Sequence, residues 1–138
     1  LTIREPSLVL LGNSGPAGSE QARIVERSII MVARVLEFNV SPDRINELNT
    51  KLDNEVLPIL RSQTGFVDAV CLHSKEEAGR VLGISLWRTE SDLEGYERDA
   101  APRIAQSLGT VLAGAPRTSH YSVDLSTFHN ITATQKAA

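Results

Sequence analysis

Cysteine is nearly absent: Cys71 is the one cysteine among 138 residues, so no intrachain disulfide can staple the fold. A reducing, cytoplasmic setting is the simplest expectation. No apolar run approaches the roughly 20 residues that a membrane helix needs, so no membrane partner is expected. No block of like charge occurs, and the net charge is −3. Neither nucleic acid nor an anionic membrane would find the basic face it needs. Glycine-rich phosphate loops and dinucleotide fingerprints are missing. His120 and His129 show no metal-ligand spacing with each other or with Cys71, which argues against a metal site. Aromatic residues are scarce at 4%, with a single tryptophan, Trp87, so each deserves an assigned role.

What is present is ordinary for a globular chain: 41% hydrophobic and 22% charged residues. The length suits one domain. Residues 1–30 differ from the rest and read as an N-terminal extension. Within them, Ser7 to Leu11 is a short strand-like run, Gly12 to Gly18 a turn-rich linker, and Glu20 to Ile30 a weak helix candidate. Met31, the only methionine, opens the first convincing strand, and the domain is expected to begin there. The extension is then either an upstream-translated segment or a surface-packed one. The domain spans residues 31–125, and 126–138 read as a loose polar tail. Asn130 to Thr132 forms a glycosylation sequon of a kind common by chance.

Ile29 to Phe38 is strand-like. Ser41, Pro42 and Asp43 then open a helix, with Ser41 as cap. Ile45, Leu48, Leu52, Val56, Ile59 and Leu60 follow at helical spacing, and Pro58 predicts a kink. Gly65 stops that helix. Phe66 to Leu72 and Arg80 to Trp87 read as paired strands joined by a polar connection. Thr89 or Ser91 caps a second helix, which Pro102 breaks in two. Arg117 to Leu125 reads as a fourth strand. The order β-α-β-β-α-β is the split pattern of an α+β, ferredoxin-like sheet, with two helices on one face.

Those two helices can cover only one side of the sheet. Yet the strands are apolar at both parities. Val32, Leu36 and Phe38 oppose Ala33 and Val35, while Val81 and Trp87 oppose Leu82, Ile84 and Leu86. Strands buried on both faces read this way. Within the chain only the extension of residues 1–30 is left to cover the second face; a second copy of the sheet is the natural cover, so a homodimer through the sheet face is expected.

The long first helix running into Gly65 and Phe66, and Trp87 followed by Thr89, Glu90, Ser91 and then Tyr96, resemble the antibiotic-biosynthesis-monooxygenase-like family over residues 31–125. The resemblance implies a dimeric α+β barrel with a pocket between helices and sheet in each subunit. It implies two chemistries: oxygenation of phenols or quinols without a cofactor, or haem degradation. Haem-degrading members carry Asn on the first strand, then Trp and His on the second helix. Ala33, Tyr96 and Gln106 stand at those positions here, which disfavours haem, since Gln106 is a poor iron ligand. The expectation is therefore an enzyme that needs no cofactor and takes a small aromatic ligand.

A phenol or enol must lose a proton before it reacts with dioxygen, so a base, an orienting group and a dry wall are wanted. Tyr96, His73 and Glu37 are the catalytic candidates. Tyr96 would bond a substrate oxygen, His73 would act near neutral pH, and Glu37, sharing the parity of Ala33, is an alternative base. Ala33, Val35, Phe66, Trp87 and Gln106 are the ligand-binding candidates. Simpler roles compete with each. Trp87 reads first as a packing residue, Tyr96 equally as a buried structural phenol, His73 as solvent-exposed, and Glu37 as an ion-pair partner of Arg34 or of an arginine across the dimer. Cys71 reads as an inert apolar residue. Three functions stay open: the oxygenase, a non-catalytic binding module, and a structural dimer whose core is filled by Leu52, Val56, Trp87 and Tyr96.

Overall fold

A computed structural model describes residues 30–129 and 131. The residues read as an N-terminal strand, linker and helix, and the sequon asparagine Asn130, lie outside the described residues. Four strands form one antiparallel sheet: β1 (Val32–Asn39), β2 (Phe66–His73), β3 (Arg80–Trp87) and β4 (Arg117–Ser122), in the order β2-β3-β1-β4. Two helical arms connect them. The first runs from a 3-10 turn (Pro42–Arg44) through α1 (Ile45–Lys51) to α2 (Leu57–Arg61). The second comprises α3 (Glu90–Asp99) and α4 (Ala101–Leu108). This is the ferredoxin-like α+β arrangement, and β2 and β3 pair as the expected hairpin.

The core lies between these arms and one sheet face. Phe38, Leu48, Val56, Leu60, Val81, Trp87, Leu93 and Tyr96 belong to one buried cluster, with Val32 and Leu36 packed against it. Leu48 and Val81 are wholly enclosed, and burial of such a side chain stabilises by about 1.5–3 kcal/mol. Side chains alternate along a strand, so Ala33, Val35 and Glu37 point to the opposite face. Their register partners Leu86, Ile84 and Leu82 share it. That second face is apolar, and Val70 and Leu72 on β2 are each 45% exposed.

Local differences from the sequence expectations have physical causes. Ser41 makes no side-chain cap; its carbonyl instead accepts Arg44 N–H at 2.8 Å and closes the 3-10 turn. The first helix is not continuous. Pro58 has no N–H for an α-helical bond to Asn54, and the preceding turn, Leu52–Val56, widens to π geometry with Leu57 N–H bonded to Leu52 O. Gly65 takes φ of 80°, and a Cβ there would collide with the Asp92 side chain at the start of α3. Thr89 caps α3 as expected, its hydroxyl accepting Asp92 N–H at 3.0 Å. Of the C-terminal segment, residues 126–129 and 131 are described. Ser126 and Ile131 exchange backbone hydrogen bonds, and Ile131 is buried.

Candidate functional site

The two helical arms do not fill the space over the sheet. A cavity of about 520 Å³ remains between α1, the π turn, α2, α4 and the strands β1 to β3. The π turn supplies Leu52, Asp53 and Val56 to its wall, and π turns recur where a helix is reshaped around a functional site. Leu36, Phe38, Leu57, Leu60, Ile104 and Leu108 make the lining mostly apolar. Asn49, Asp53, Val70 and Cys71 are exposed lining residues and mark the mouth. Partial burial raises the Cys71 thiol above its usual value, so it stays protonated at neutral pH.

Three polar groups face the inner part of the cavity: Arg34, Ser85 and Tyr96. Arg34 projects from β1 at the parity of Val32 and Leu36. Its guanidinium carbon lies 5.5 Å from the centre of the Tyr96 ring, within cation–π range. Tyr96 stacks on Trp87, with ring centres 4.6 Å apart and planes 28° apart. Trp87 in turn donates from Nε1 to Ser85 Oγ at 2.9 Å and meets the edge of Phe66 at 5.5 Å. The aromatic stack therefore fixes the Tyr96 ring from behind. Burial raises the Tyr96 phenol above its usual value; the Arg34 charge opposes this and Glu97 adds to it. Tyr96 is thus a proton donor at neutral pH, not a base.

Behind Arg34 sits Glu97 of α3. Its Oε2 accepts Arg34 Nε at 2.8 Å and contacts His120 Nε2 of β4 at 2.7 Å. Burial alone would raise the Glu97 carboxyl, but the hydrogen bonds and charges of His120 and Arg34 prevail and lower it.

A family model described as antibiotic biosynthesis monooxygenase matches residues 31–106, more than half of the chain. The chain belongs to the antibiotic biosynthesis monooxygenase family. Solved structures share the family's fold. SnoaB from Streptomyces nogalater, a cofactor-independent oxygenase, is 14% identical with a TM-score of 0.57, covering 71% of this chain and 97% of its own. Rv0793 from Mycobacterium tuberculosis is 17% identical with a TM-score of 0.58, covering 70% and 98%. NE2512 from Nitrosomonas europaea, a protein of unknown function, is 12% identical with a TM-score of 0.60, covering 72% and 95%. At such identities the likeness is one of fold. A comparison with curated proteins gives no match.

Against this family frame, one of the eight residues proposed from sequence, Tyr96, lines the cavity. Trp87 is fully buried and supports Tyr96 without forming the wall, and Phe66 packs on Trp87. Ala33, Val35 and Glu37 lie on the other sheet face. Glu37 contacts Arg80 at 3.5 Å and Arg117 at 3.9 Å, not Arg34. His73 is exposed at the end of β2, with Nε2 4.0 Å from Cys71 Sγ, outside the lining. Gln106 is exposed on α4. Glu37, His73, Ala33, Val35 and Gln106 are thus not among the residues that line this cavity. Sequence reasoning missed Arg34, Ser85 and Glu97, and assigned no role to His120. Arg34 carried a readable signal: a lone cation at the apolar parity of β1. Among the described residues, no three His, Cys, Asp or Glu side chains assemble to hold a metal ion, and no helix is long and apolar enough to cross a membrane.

Proposed function

We propose that this chain is a cofactor-independent oxygenase acting on a small aromatic or quinol-type compound. The observation that carries this reading is the apolar cavity with Tyr96 and Arg34 at its inner end. Its volume, about 520 Å³, is in the range of small-molecule sites. The Tyr96 hydroxyl would donate to a substrate oxygen, and Arg34 would stabilise negative charge there as a phenol or enol ionises. The apolar walls would keep water from the electron-rich anion. The substrate would supply all four electrons that dioxygen takes up, one oxygen atom entering the quinone-type product and the other leaving as water, so no external reductant is needed. Family membership supports the reading, as does the printed activity of SnoaB, a cofactor-independent oxygenase. The cavity also weighs against a structural dimer with a filled core, since Leu52, Val56 and Tyr96 line space instead of closing it.

One observation favours a second reading, a binding module without turnover. Among the described residues, Asp53 at the mouth is the one carboxylate in the lining, and no histidine lines the cavity. The two readings separate by experiment. Thermal unfolding is followed across quinols, polycyclic phenols, flavins and haem, since a ligand of the folded state raises its apparent stability. Oxygen consumption is then measured with every stabilising compound. Stabilisation by a phenolic class with oxygen uptake supports the oxygenase. Stabilisation without uptake assigns the binding module, and no stabilisation by phenols or quinols removes the case for oxygenation. Tyr96→Phe keeps the stack on Trp87 but loses the hydroxyl. It should weaken phenol binding by about 0.5–1.5 kcal/mol while the protein stays folded.

A further inference from the structure

The reading of the cavity as a ligand site can be taken one step further, to what the ligand must carry. A second cavity of about 220 Å³ lies between α4 and β4, and it shares Arg34, Leu36, Tyr96, Ile104 and Leu108 with the first. The two lobes therefore meet at Arg34. Among the described residues, the larger lobe has one charged lining residue besides Arg34, Asp53 at its mouth, and the smaller has no other. The Arg34 side chain is only 16% exposed. A cation so enclosed is costly unless an anion faces it.

Glu97 meets that need from behind only. Its Oε2 accepts Arg34 Nε and also contacts His120 Nε2. Glu97 and His120 line an outer groove with Glu94 and Tyr121, and neither lobe. The Nε bond leaves the terminal guanidinium nitrogens of Arg34, which have no hydrogen-bond partner among the described residues. Such a planar pair of donors matches an anionic oxygen or a carboxylate.

We propose that the joined cavity selects an apolar, ring-bearing ligand with one anionic oxygen (phenolate, enolate or carboxylate), and that Arg34 receives this oxygen where the lobes meet. Apolar parts of the ligand extend into one or both lobes. Glu97 is a positioning residue that holds Arg34 from outside. For a phenol, the O–H bond breaks with its electron pair left on oxygen, and the proton passes to solvent. The Arg34 charge stabilises the resulting anion, which does part of the work of the base that the lining lacks.

The test uses naphthoate, naphthol and methoxynaphthalene, substituted at the same ring position and titrated calorimetrically. Wild-type protein should bind naphthoate about tenfold or more tighter than the ether, the discrimination expected of a charged hydrogen bond. Arg34→Gln should abolish most of that preference by weakening naphthoate far more than the ether, while Arg34→Lys should retain part of it. Glu97→Gln keeps an acceptor for Arg34 Nε but removes the opposing charge, so it should tighten naphthoate selectively. A purely structural role for Glu97 would weaken all three probes instead. Glu97→Gln also decides the matter if Arg34→Gln does not fold. Equal binding of naphthoate and ether by the wild type, or a preference that survives Arg34→Gln, overturns the anion assignment but leaves the cavity reading standing. Failure of all three to bind overturns both.

Discussion

At the scale of single residues, the site turns on one carboxylate oxygen. Glu97 Oε2 contacts both Arg34 Nε and His120 Nε2, and its carboxyl is lowered from 4.5. A carboxyl whose native value lies below its unfolded value leaves the native state holding fewer protons. Its contribution to stability is then present above the unfolded value and lost as pH falls through the folded one. Wild-type protein should lose stability below pH 4.5 more steeply than Glu97→Gln. Urea midpoints measured from neutral pH to about pH 3 check this, and parallel curves would show that Glu97 makes no such contribution. The sequence offered part of this site. Tyr96, expected at a pocket from its place on the second helix, lines the cavity, and the parity of Arg34 can be read beside Val32 and Leu36. The site parity was instead assigned to Ala33 and Glu37, though the bulkier parity of β1 is the one the helices cover. Glu97 was unreadable, because it meets Arg34 across 63 positions of sequence.

At the scale of elements, the strands were legible because their apolar pattern and breakers agree. Arg80–Trp87 matches its expected bounds, and Gly65 and Pro102 interrupt the chain where expected. The π turn was not legible. A sequence shows Pro58 and predicts a kink, but whether the turn before it tightens or widens depends on what it packs against. Here it widens, and three of its residues line the cavity. A π turn holds one residue more than the α-helical path requires. Deleting Asn54, which is exposed and outside the lining, should let α1 and α2 join with their flanking residues in register. The expected product is folded, as stable as the wild type or more so, and weakened in binding every cavity ligand. Circular dichroism on melting, together with the naphthalene titrations, reads both properties. Undiminished binding by the folded deletion variant would show that the π turn does not shape the site.

At the scale of the whole molecule, no described helix covers the second sheet face. The helices lie on one side, as two helical arms must. The other side presents Val35, Leu72, Leu82, Ile84 and Leu86, with Leu72 45% exposed and Tyr121 of β4 58% exposed. Ion pairs of Glu37 with Arg80 and Arg117 sit on the same face, giving an apolar centre with charge beside it, the usual anatomy of an interface. We propose that a second copy of the sheet covers it. Leu72 lines neither cavity lobe, and its exposure within one subunit means that an arginine there costs the isolated fold little. In a face-to-face dimer the same arginine would be forced into a dry contact without a partner, at a cost of several kcal/mol. Wild-type protein at micromolar concentration should therefore scatter light as a dimer, and Leu72→Arg as a folded monomer. A wild-type monomer would mean that this apolar face is covered by something other than a second copy. A dimer unchanged by Leu72→Arg would move the interface off the centre of the β2–β3 hairpin.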